Sequence, residues 1–431
     1  MDIEIYHSPV LKGKIRAPPS KSYTHRAIIM GALADGISII KEPLIGEDTS
    51  ASMRAMQALG AKISKENDKL IIKGLKHFRI PSETINVENS GTTIRFITAL
   101  AAHVPGIVRL TGDNSIQKRP MGPLLDALAQ LGIECQSESN DGTPPLIIKG
   151  GNLKGGHISI RGDISSQFIS GLLISAPLAE SDITIQLTTP LKSSPYLEIT
   201  TDMLNKFGIT CSYNPEKRIY KIPGRQTYHP IEFIVPGDFS SAAFFLVAGA
   251  LLGAPITVSN LDMGNPQGDK AIVQILKEVG AKISVNSKEK AITVSKNSLK
   301  PFNIDCKDIP DLVPILAVLA SFIPGKSKIF NVAHLRIKES DRLHTITTEL
   351  QKMNVDIKEL PDALIIQGSS DHKGAILNTY DDHRIAMALI IASLPVKEKT
   401  LIKNIECINV SYPSFLKHLE KIGGKFRVMH T

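Results

Sequence analysis

The amino-acid sequence predicts an α/β protein of two similar globular lobes, each assembled from three copies of one folding unit. Three observations predict it. A phrase recurs six times along the 431 residues: an amphipathic helix, a small turn residue, a strand, a polar turn and a second strand. The turn residues Gly60, Gly132, Gly208, Gly280, Asn354 and Gly423 follow one another at intervals of 72, 76, 72, 74 and 69 positions. A unit near seventy residues exceeds a solenoid repeat and holds two helices with several strands, so the copies should pack as compact lobes of three rather than as an open array.

Each copy carries its own pattern. The first has Met53, Met56 and Leu59 before Gly60-Ala61-Lys62-Ile63, a polar turn at Lys65–Asp68, and Leu70-Ile71-Ile72. The second runs Leu124, Leu125, Leu128 and Leu131 into Gly132, and returns through Leu146-Ile147-Ile148. The third has Met203, Leu204 and Phe207 before Gly208. The fourth has Ile272, Ile275, Leu276 and Val279 before Gly280. The fifth and sixth have Ile346, Leu350 and Met353 before Asn354, and Phe415, Leu416, Leu419 and Ile422 before Gly423. Apolar positions three and four apart mark one buried helical face, and the Gly or Asn that follows is what a left-handed helix end requires. The lobe boundaries are placed at Ala17-Pro18-Pro19 and at Gln226–Pro230. This gives a discontinuous lobe of residues 1–17 and 230–431 and an inserted lobe of residues 18–229, with a substrate cleft between them expected.

Composition narrows the class. The hydrophobic fraction of 42% and charged fraction of 21% are those of a folded globular chain. A net charge of +8 favours an anionic partner, but no basic run stands out and Trp is absent, so nucleic acid is disfavoured. Cys135, Cys211, Cys306 and Cys407 lie far apart with no zinc-type spacing, and are expected to be buried free thiols. The start Met1-Asp2-Ile3-Glu4 has no basic head or apolar core. The longest apolar stretch, Ala242–Val258, is interrupted by Gly249, Gly253 and Pro255 and reads as a buried helix running into a strand. A cytoplasmic protein with no membrane span is expected.

The polar segments cluster at helix starts. Pro18-Pro19-Ser20-Lys21-Ser22-Tyr23-Thr24-His25-Arg26 leads into the apolar run Ala27–Met30. The prolines hold the chain extended, Ser20 or Ser22 can cap the helix, and Lys21, Ser22 and Arg26 surround N–H groups that favour phosphate or carboxylate. The plainer reading is a well-capped surface helix. Asn89-Ser90-Gly91-Thr92-Thr93-Ile94-Arg95 and Ser165-Ser166-Gln167 open helices in the same manner. So does Asp238-Phe239-Ser240-Ser241, a reminder that such hydroxyls can be caps and nothing more. Arg119 reads as an exposed loop cation able to move on binding. Lys338-Glu339-Ser340-Asp341-Arg342 is placed on the start of a helix, with Lys338, Glu339 and Arg342 near one face, either as solvated ion pairs or as an anion holder beside a proton carrier. In Asp381-Asp382-His383-Arg384, Asp382 orients His383 or caps a helix, and Arg384 supplies a second cation. Asp311 is an N-cap or a partly desolvated base. Together these segments point to two anions held by Lys and Arg, with carboxylates at hand for proton transfer.

In this order, and from end to end of the chain, the motifs Ser20-Lys21-Ser22 with Arg26, Asn89–Arg95, Arg119-Pro120, Ser165-Ser166-Gln167, Ile309-Pro310-Asp311, Lys338–Arg342 and Asp382-His383-Arg384 resemble those of the 5-enolpyruvylshikimate-3-phosphate synthase family of enolpyruvyl transferases. The resemblance implies two lobes of three βαβαββ units each, an inside-out α/β barrel with its active site in the cleft between lobes. It implies transfer of the enolpyruvyl group of phosphoenolpyruvate to the 5-hydroxyl of shikimate 3-phosphate, through a tetrahedral intermediate that eliminates phosphate, in the pathway to chorismate and the aromatic amino acids. No metal and no cofactor are implied, and a monomer is expected. Carried over by motif, Lys21, Ser22, Arg26, Ser165, Ser166, Gln167, Ser193, Asp311 and Lys338 hold shikimate 3-phosphate. Lys21, Gly91, Arg119, Gln167, Arg342 and Arg384 surround phosphoenolpyruvate. Asp311, Glu339 and Lys21 are the catalytic proton carriers.

Two departures stand out: His334 replaces an Asn found in many members, and Val410 stands where many have Lys. Gly91 leaves room for the inhibitor glyphosate. Two alternatives share the architecture. The sister enzyme acting on UDP-N-acetylglucosamine relies on a loop cysteine, which Asn114–Pro123 lacks. The RNA-phosphate cyclases bind nucleic acid without the pairing of Lys338–Arg342 and Asp382-His383-Arg384.

Overall fold

The computed structural model describes residues 1–151 and 153–429, and the chain falls into two compact units. The discontinuous unit takes Met1–Pro18 and the chain from Pro236 onward; the inserted unit is Pro19–Val235. The second boundary therefore lies past the predicted 229/230 junction. The reason is a strand: Glu232–Ile234 pairs in parallel with Ile37–Lys41 and stays with the inserted unit.

Twelve α-helices occur among the described residues: α1 (Lys21–Leu33), α2 (Glu47–Ala58), α3 (Gly91–Ala101), α4 (Gly122–Gln130), α5 (Ser166–Ser175), α6 (Pro195–Lys206), α7 (Phe239–Leu251), α8 (Ala271–Val279), α9 (Val313–Ser321), α10 (Arg342–Lys352), α11 (His383–Ser393) and α12 (Phe415–Lys421). They alternate in character. In α3, α7, α9 and α11 every residue is buried, and α1 and α5 are nearly so. A helix apolar on all sides needs partners on all sides, and these six are the inner helices. The even-numbered helices bury one face. In α8 that face is Ile272, Val273, Ile275, Leu276 and Val279. All six predicted turn residues, Gly60, Gly132, Gly208, Gly280, Asn354 and Gly423, have positive φ, so each even-numbered helix ends on the left-handed residue that the spacing called for.

The strands form six four-stranded sheets with one plan. In the second repeat, Ile85–Asn86 runs parallel to Ile107–Thr111 across α3. Ile107–Thr111 is antiparallel to Leu146–Lys149, and that strand is antiparallel to Glu134–Ser137. The unit is thus βαβαββ with sheet order first, second, fourth, third. Strands alternate buried and exposed residues, as in Lys69–Lys73, where Leu70 and Ile72 point inward, because each sheet covers the core with one face only. Three sheets are completed by distant chain. Glu232–Ile234 serves as first strand of the first repeat, Gly13–Arg16 as first strand of the fourth beside Ile256–Ser259, and Asp2–Ile5 as fourth strand of the sixth, between Thr400–Lys403 and Phe426–Met429.

Each unit has its own apolar core. In the inserted unit the inner helices pack closely: a Cβ at Gly171 of α5 would lie 2.9 Å from the Arg95 carbonyl oxygen of α3. Of the four cysteines only Cys306 is buried; Cys135, Cys211 and Cys407 are half-buried, and all are free thiols. Among the described residues, no helix is long and apolar enough to cross a membrane.

Candidate active site

Within each unit the predicted polar residues lie at or near the starts of helices. In the inserted unit, Ser20 precedes α1 with the extended backbone of an N-cap residue, but its side chain makes no capping bond. Lys21, the first residue of α1, places Nζ 2.7 Å from Asp48 Oδ2 near the start of α2. Asp48 Oδ1 lies 3.3 Å from His25 Nε2 and accepts from the Ser90 hydroxyl, the cap of α3. The network continues from Ser90 Oγ to Thr93 Oγ1 at 2.6 Å, to Ser52 Oγ at 2.7 Å and to His25 Nδ1 at 2.8 Å. Burial alone would raise the Asp48 carboxyl, yet Lys21 and His25 hold it well below the ordinary carboxylate range. Asp48 is therefore the fixed anion that orients the Lys21 ammonium. Sequence reading missed it, since an acid in the first turn of a helix is an ordinary dipole partner and nothing local ties it to a lysine 27 residues earlier.

Arg26 is buried on α1 and holds α1, α5 and α6 together. It donates to Thr200 Oγ1 at 2.8 Å, Ser22 O at 2.9 Å, Tyr196 O at 3.0 Å and Ser170 Oγ at 3.3 Å, and its guanidinium lies 5.3 Å from the centre of the Phe96 ring. These are all neutral groups. With no carboxylate among those partners, burial lowers the guanidinium to about 10. A desolvated positive charge satisfied only by neutral oxygens is a strong attractor for an anion.

Ser165 caps α5, accepting from the Gln167 amide at 3.3 Å; Ser166 is buried and Gln167 half-buried. The Gln167 side chain is fixed from α3, accepting from Arg95 Nη1 and donating to Thr92 Oγ1 at 3.1 Å. Arg95 thus positions Gln167, a link visible only once α3 and α5 are packed. Ser193 is buried with left-handed backbone. Arg119 is not the exposed loop cation that the sequence suggests. It is 5% exposed, with Nη2 3.3 Å from Ser115 Oγ, and it lies across the first residue of α3, where a Cβ at Gly91 would meet Nη1 at 2.3 Å. Turn formers made the segment look solvated, whereas the guanidinium folds back over Gly91. The inserted unit therefore gathers Lys21, Arg26, Arg95 and Arg119 around the starts of α1, α3 and α5, with Asp48 the one acid placed among them by these contacts.

The discontinuous unit holds a different cluster. Arg342 is 1% exposed and donates Nε to Asp382 at 2.8 Å, Nη1 to Asp311 at 2.8 Å and Nη2 to Glu339 at 2.7 Å. Arg384 Nη2 donates to the other oxygen of Asp311 at 2.7 Å, so Asp311 bridges two guanidiniums. Burial disfavours the charge on Arg342, but Asp382, Glu339 and Asp311 hold it protonated. Asp382 does two jobs. It caps α11 through the Arg384 amide at 2.9 Å and clamps Arg342, whereas the sequence offered only capping or orienting His383. The segment Lys338–Asp341 does not lie on a helix as predicted. Asp341 caps α10, accepting from the His344 amide at 3.1 Å, so the helix begins at Arg342, and Lys338 and Glu339 precede it in half-buried irregular chain. The Glu339–Arg342 contact survives because the turn brings them together. Asp311 is likewise no helix cap: it sits in the short turn Pro310–Leu312, and its carboxylate goes to the arginines. His334 is buried and Val410 is 4% exposed in the turn Ile405–Val410.

The family model for EPSP synthase (3-phosphoshikimate 1-carboxyvinyltransferase) matches residues 5–419. The chain is 49% identical over 421 residues to the 3-phosphoshikimate 1-carboxyvinyltransferase of Methanocaldococcus jannaschii, covering 97% of each chain. An EPSP synthase structure from Acinetobacter baumannii superposes with a TM-score of 0.83 at 28% identity, covering 100% of both chains. The enolpyruvyl transferase NikO of Streptomyces tendae shares the fold, with a TM-score of 0.79 at 18% identity over 99% of this chain and 98% of that one. Two α/β units of three repeats, matched from end to end by an EPSP synthase structure, are those of an enolpyruvyl transferase. The chain belongs to the EPSP synthase family. It transfers the enolpyruvyl group of phosphoenolpyruvate to shikimate 3-phosphate in the shikimate pathway, which supplies the aromatic amino acids.

Proposed function

We propose that the two clusters divide the work of this transfer. The observation that carries the proposal is their difference in make-up: the inserted-unit cluster gathers Lys21, Arg26, Arg95 and Arg119 near helix starts, with Asp48 on Lys21, and the discontinuous-unit cluster sets the carboxylates Asp311, Glu339 and Asp382 against Arg342 and Arg384. Two multiply charged anions can be brought together only where fixed cations and aligned N–H groups offset their repulsion. Ser22, Arg26, Ser165, Ser166, Gln167 and Ser193, with Lys338, take shikimate 3-phosphate. Lys21, Gly91 and Arg119, with Arg342 and Arg384, take phosphoenolpyruvate. Glyphosate, also an anion with two acidic ends, competes with phosphoenolpyruvate for that second group.

In the addition step Asp311 accepts the proton of the 5-hydroxyl as its oxygen forms a bond to the central carbon of phosphoenolpyruvate, while Glu339 or Lys21 gives a proton to the methylene carbon. The resulting tetrahedral intermediate then loses the methyl proton and expels phosphate, so the same carriers run in reverse. Arg342 and Arg384 hold the Asp311 carboxylate in place from both oxygens until the hydroxyl arrives. The test is a phosphate-release assay with phosphoenolpyruvate and shikimate 3-phosphate, run beside UDP-N-acetylglucosamine, on wild type, Asp311→Asn and Glu339→Gln. Turnover with shikimate 3-phosphate alone, lost at least about a hundredfold in each variant, is expected. A folded Asp311→Asn or Glu339→Gln enzyme with wild-type turnover would overturn the role given to that residue.

A further inference from the structure

One backbone irregularity lies next to the arginine cluster. Tyr380 and Asp381, in the turn ahead of α11, have φ of 54° and 55°, and no other adjacent pair of non-glycine residues among those described is left-handed. Asp adopts this region readily, but a bulky aromatic residue there is an outlier that the surrounding structure must hold in place. The turn closes through the Asp382 amide, which donates to the Thr379 carbonyl at 3.0 Å.

What holds the turn is chiefly α10. Arg342 is the first residue of that helix and Glu349 the eighth. Seven residues make about two turns, so both side chains leave the same face, about 10 Å apart along the axis. That face grips residues 378–382 at both ends. At one end Arg342 donates to both carboxylate oxygens of Asp382, from Nε at 2.8 Å and from Nη2 at 3.2 Å. At the other the fully buried Glu349 carboxylate accepts from the Asn378 amide at 2.9 Å and from the Tyr380 hydroxyl at 2.7 Å. Lys352 Nζ donates to both oxygens of Glu349, at 2.7 and 2.9 Å, so the buried charge is paired. Thr379 is tied separately, to the Asn404 carbonyl at 2.7 Å. Tyr380 is 40% exposed, so burial does not fix it and its hydroxyl does.

The two ends are coupled through the turn. Asp382 follows the left-handed pair directly, so its carboxylate meets Arg342 only while Tyr380 and Asp381 keep positive φ. Relaxation of Tyr380 to the backbone region it prefers would redirect the chain and carry Asp382 off the guanidinium.

We propose that Glu349 is a positioning residue for Arg342: through the Tyr380 hydroxyl it holds the left-handed turn that presents Asp382 to that guanidinium. It acts through Asp382 and not on a substrate. This rests on the reading of Arg342 as a holder of phosphoenolpyruvate.

The experiment is steady-state kinetics with each substrate varied in turn, and unfolding midpoints, for wild type, Tyr380→Phe, Tyr380→Asn and Arg342→Lys. Tyr380→Phe deletes one hydroxyl and keeps the ring, a change the fold should survive. Its KM for phosphoenolpyruvate should rise roughly tenfold, because a displaced positioning group is costly, while its KM for shikimate 3-phosphate stays within about twofold of wild type. Tyr380→Asn loses the same bond but accepts left-handed backbone more readily, so its KM for phosphoenolpyruvate should rise by only about threefold. A purely structural hydroxyl predicts a lower unfolding midpoint with both KM values unchanged, and that result would overturn the proposal. So would a rise in Tyr380→Asn as large as that in Tyr380→Phe. If Arg342→Lys leaves the KM for phosphoenolpyruvate unchanged, the reading of Arg342 fails and the proposal with it. If Arg342→Lys raises that KM and Tyr380→Phe does not, the present proposal alone fails.

Discussion

Substituting Gly91 by alanine tests the site at its tightest point. A Cβ there would stand 2.3 Å from Arg119 Nη1 and 3.1 Å from Arg95 Nη1. Unbonded heavy atoms settle near about 3.5 Å, so the Arg119 guanidinium must retreat by about 1 Å. The fold should tolerate this. What yields is the tip of a flexible side chain, and Gly91 does not have the positive φ that would strain an alanine. The binding of an anion by Arg119 should not, because a displacement of about 1 Å in a positioning group can cost roughly a hundredfold. Steady-state kinetics with each substrate varied in turn should show the KM for phosphoenolpyruvate raised between about tenfold and a hundredfold, equivalent to roughly 1.4 to 2.7 kcal/mol. The KM for shikimate 3-phosphate and the unfolding midpoint should stay near their wild-type values. An unchanged KM for phosphoenolpyruvate would refute the placing of Arg119 over Gly91. So would equal rises for both substrates together with a fall in Tm.

Other substitutions probe the remaining contacts. Asp48→Asn removes the carboxylate facing Lys21 and should cost about 3 kcal/mol at neutral pH, read by urea unfolding. Because the folded pKa of Asp48 is depressed, its contribution is present above the unfolded value near 4 and fades as pH falls, so the gap between wild type and variant should close in acid. Asp382→Asn keeps a cap for α11 but not the charge on Arg342, whereas Asp382→Ala loses both; the second should be less stable than the first by about 1 kcal/mol, and equal stabilities would show that the cap contributes nothing. Arg95→Lys cannot hold Gln167 in the same geometry and should raise the KM for shikimate 3-phosphate at least about fivefold, while an unchanged value would remove Arg95 from the site. Tyr228→Phe should cost about 1 kcal/mol by deleting the 2.7 Å bond from its buried hydroxyl to the Ile174 carbonyl, measured as a shift in denaturant midpoint.

The repeat was legible because helix ends are local chemistry. A Gly or Asn after an apolar face announces a left-handed residue, and all six positions adopt it. Arg342, Arg384, Asp311 and Glu339 could be named from sequence as chemically apt, and they do meet. What sequence could not supply was pairing over distance. Asp48 and Lys21, Arg95 and Gln167, and Asp382 and Arg342 are joined by helix packing, and neither member of a pair carries a mark of the other. Arg119 and the run Lys338–Asp341 were misplaced for a related reason. Turn-forming and charged residues look solvated until the guanidinium they carry is seen to fold inward, and a capping acid at Asp341 moved the helix start past the residues assigned to it.

The borrowed strands decide where this gene can be divided. Cutting ahead of each repeat's own first strand in chain order would carry Gly13–Arg16 away from Ile256–Ser259 and Glu232–Ile234 away from Ile37–Lys41. Two sheets would then each lose an outer strand and bare a row of unpaired N–H and C=O groups, the kind of edge that recruits another chain and precipitates. Cuts after Pro18 and after Val235 leave every sheet of both units with its full set of strands. The inserted unit then becomes one uninterrupted fragment, and the other can be made so by joining residue 18 to residue 236.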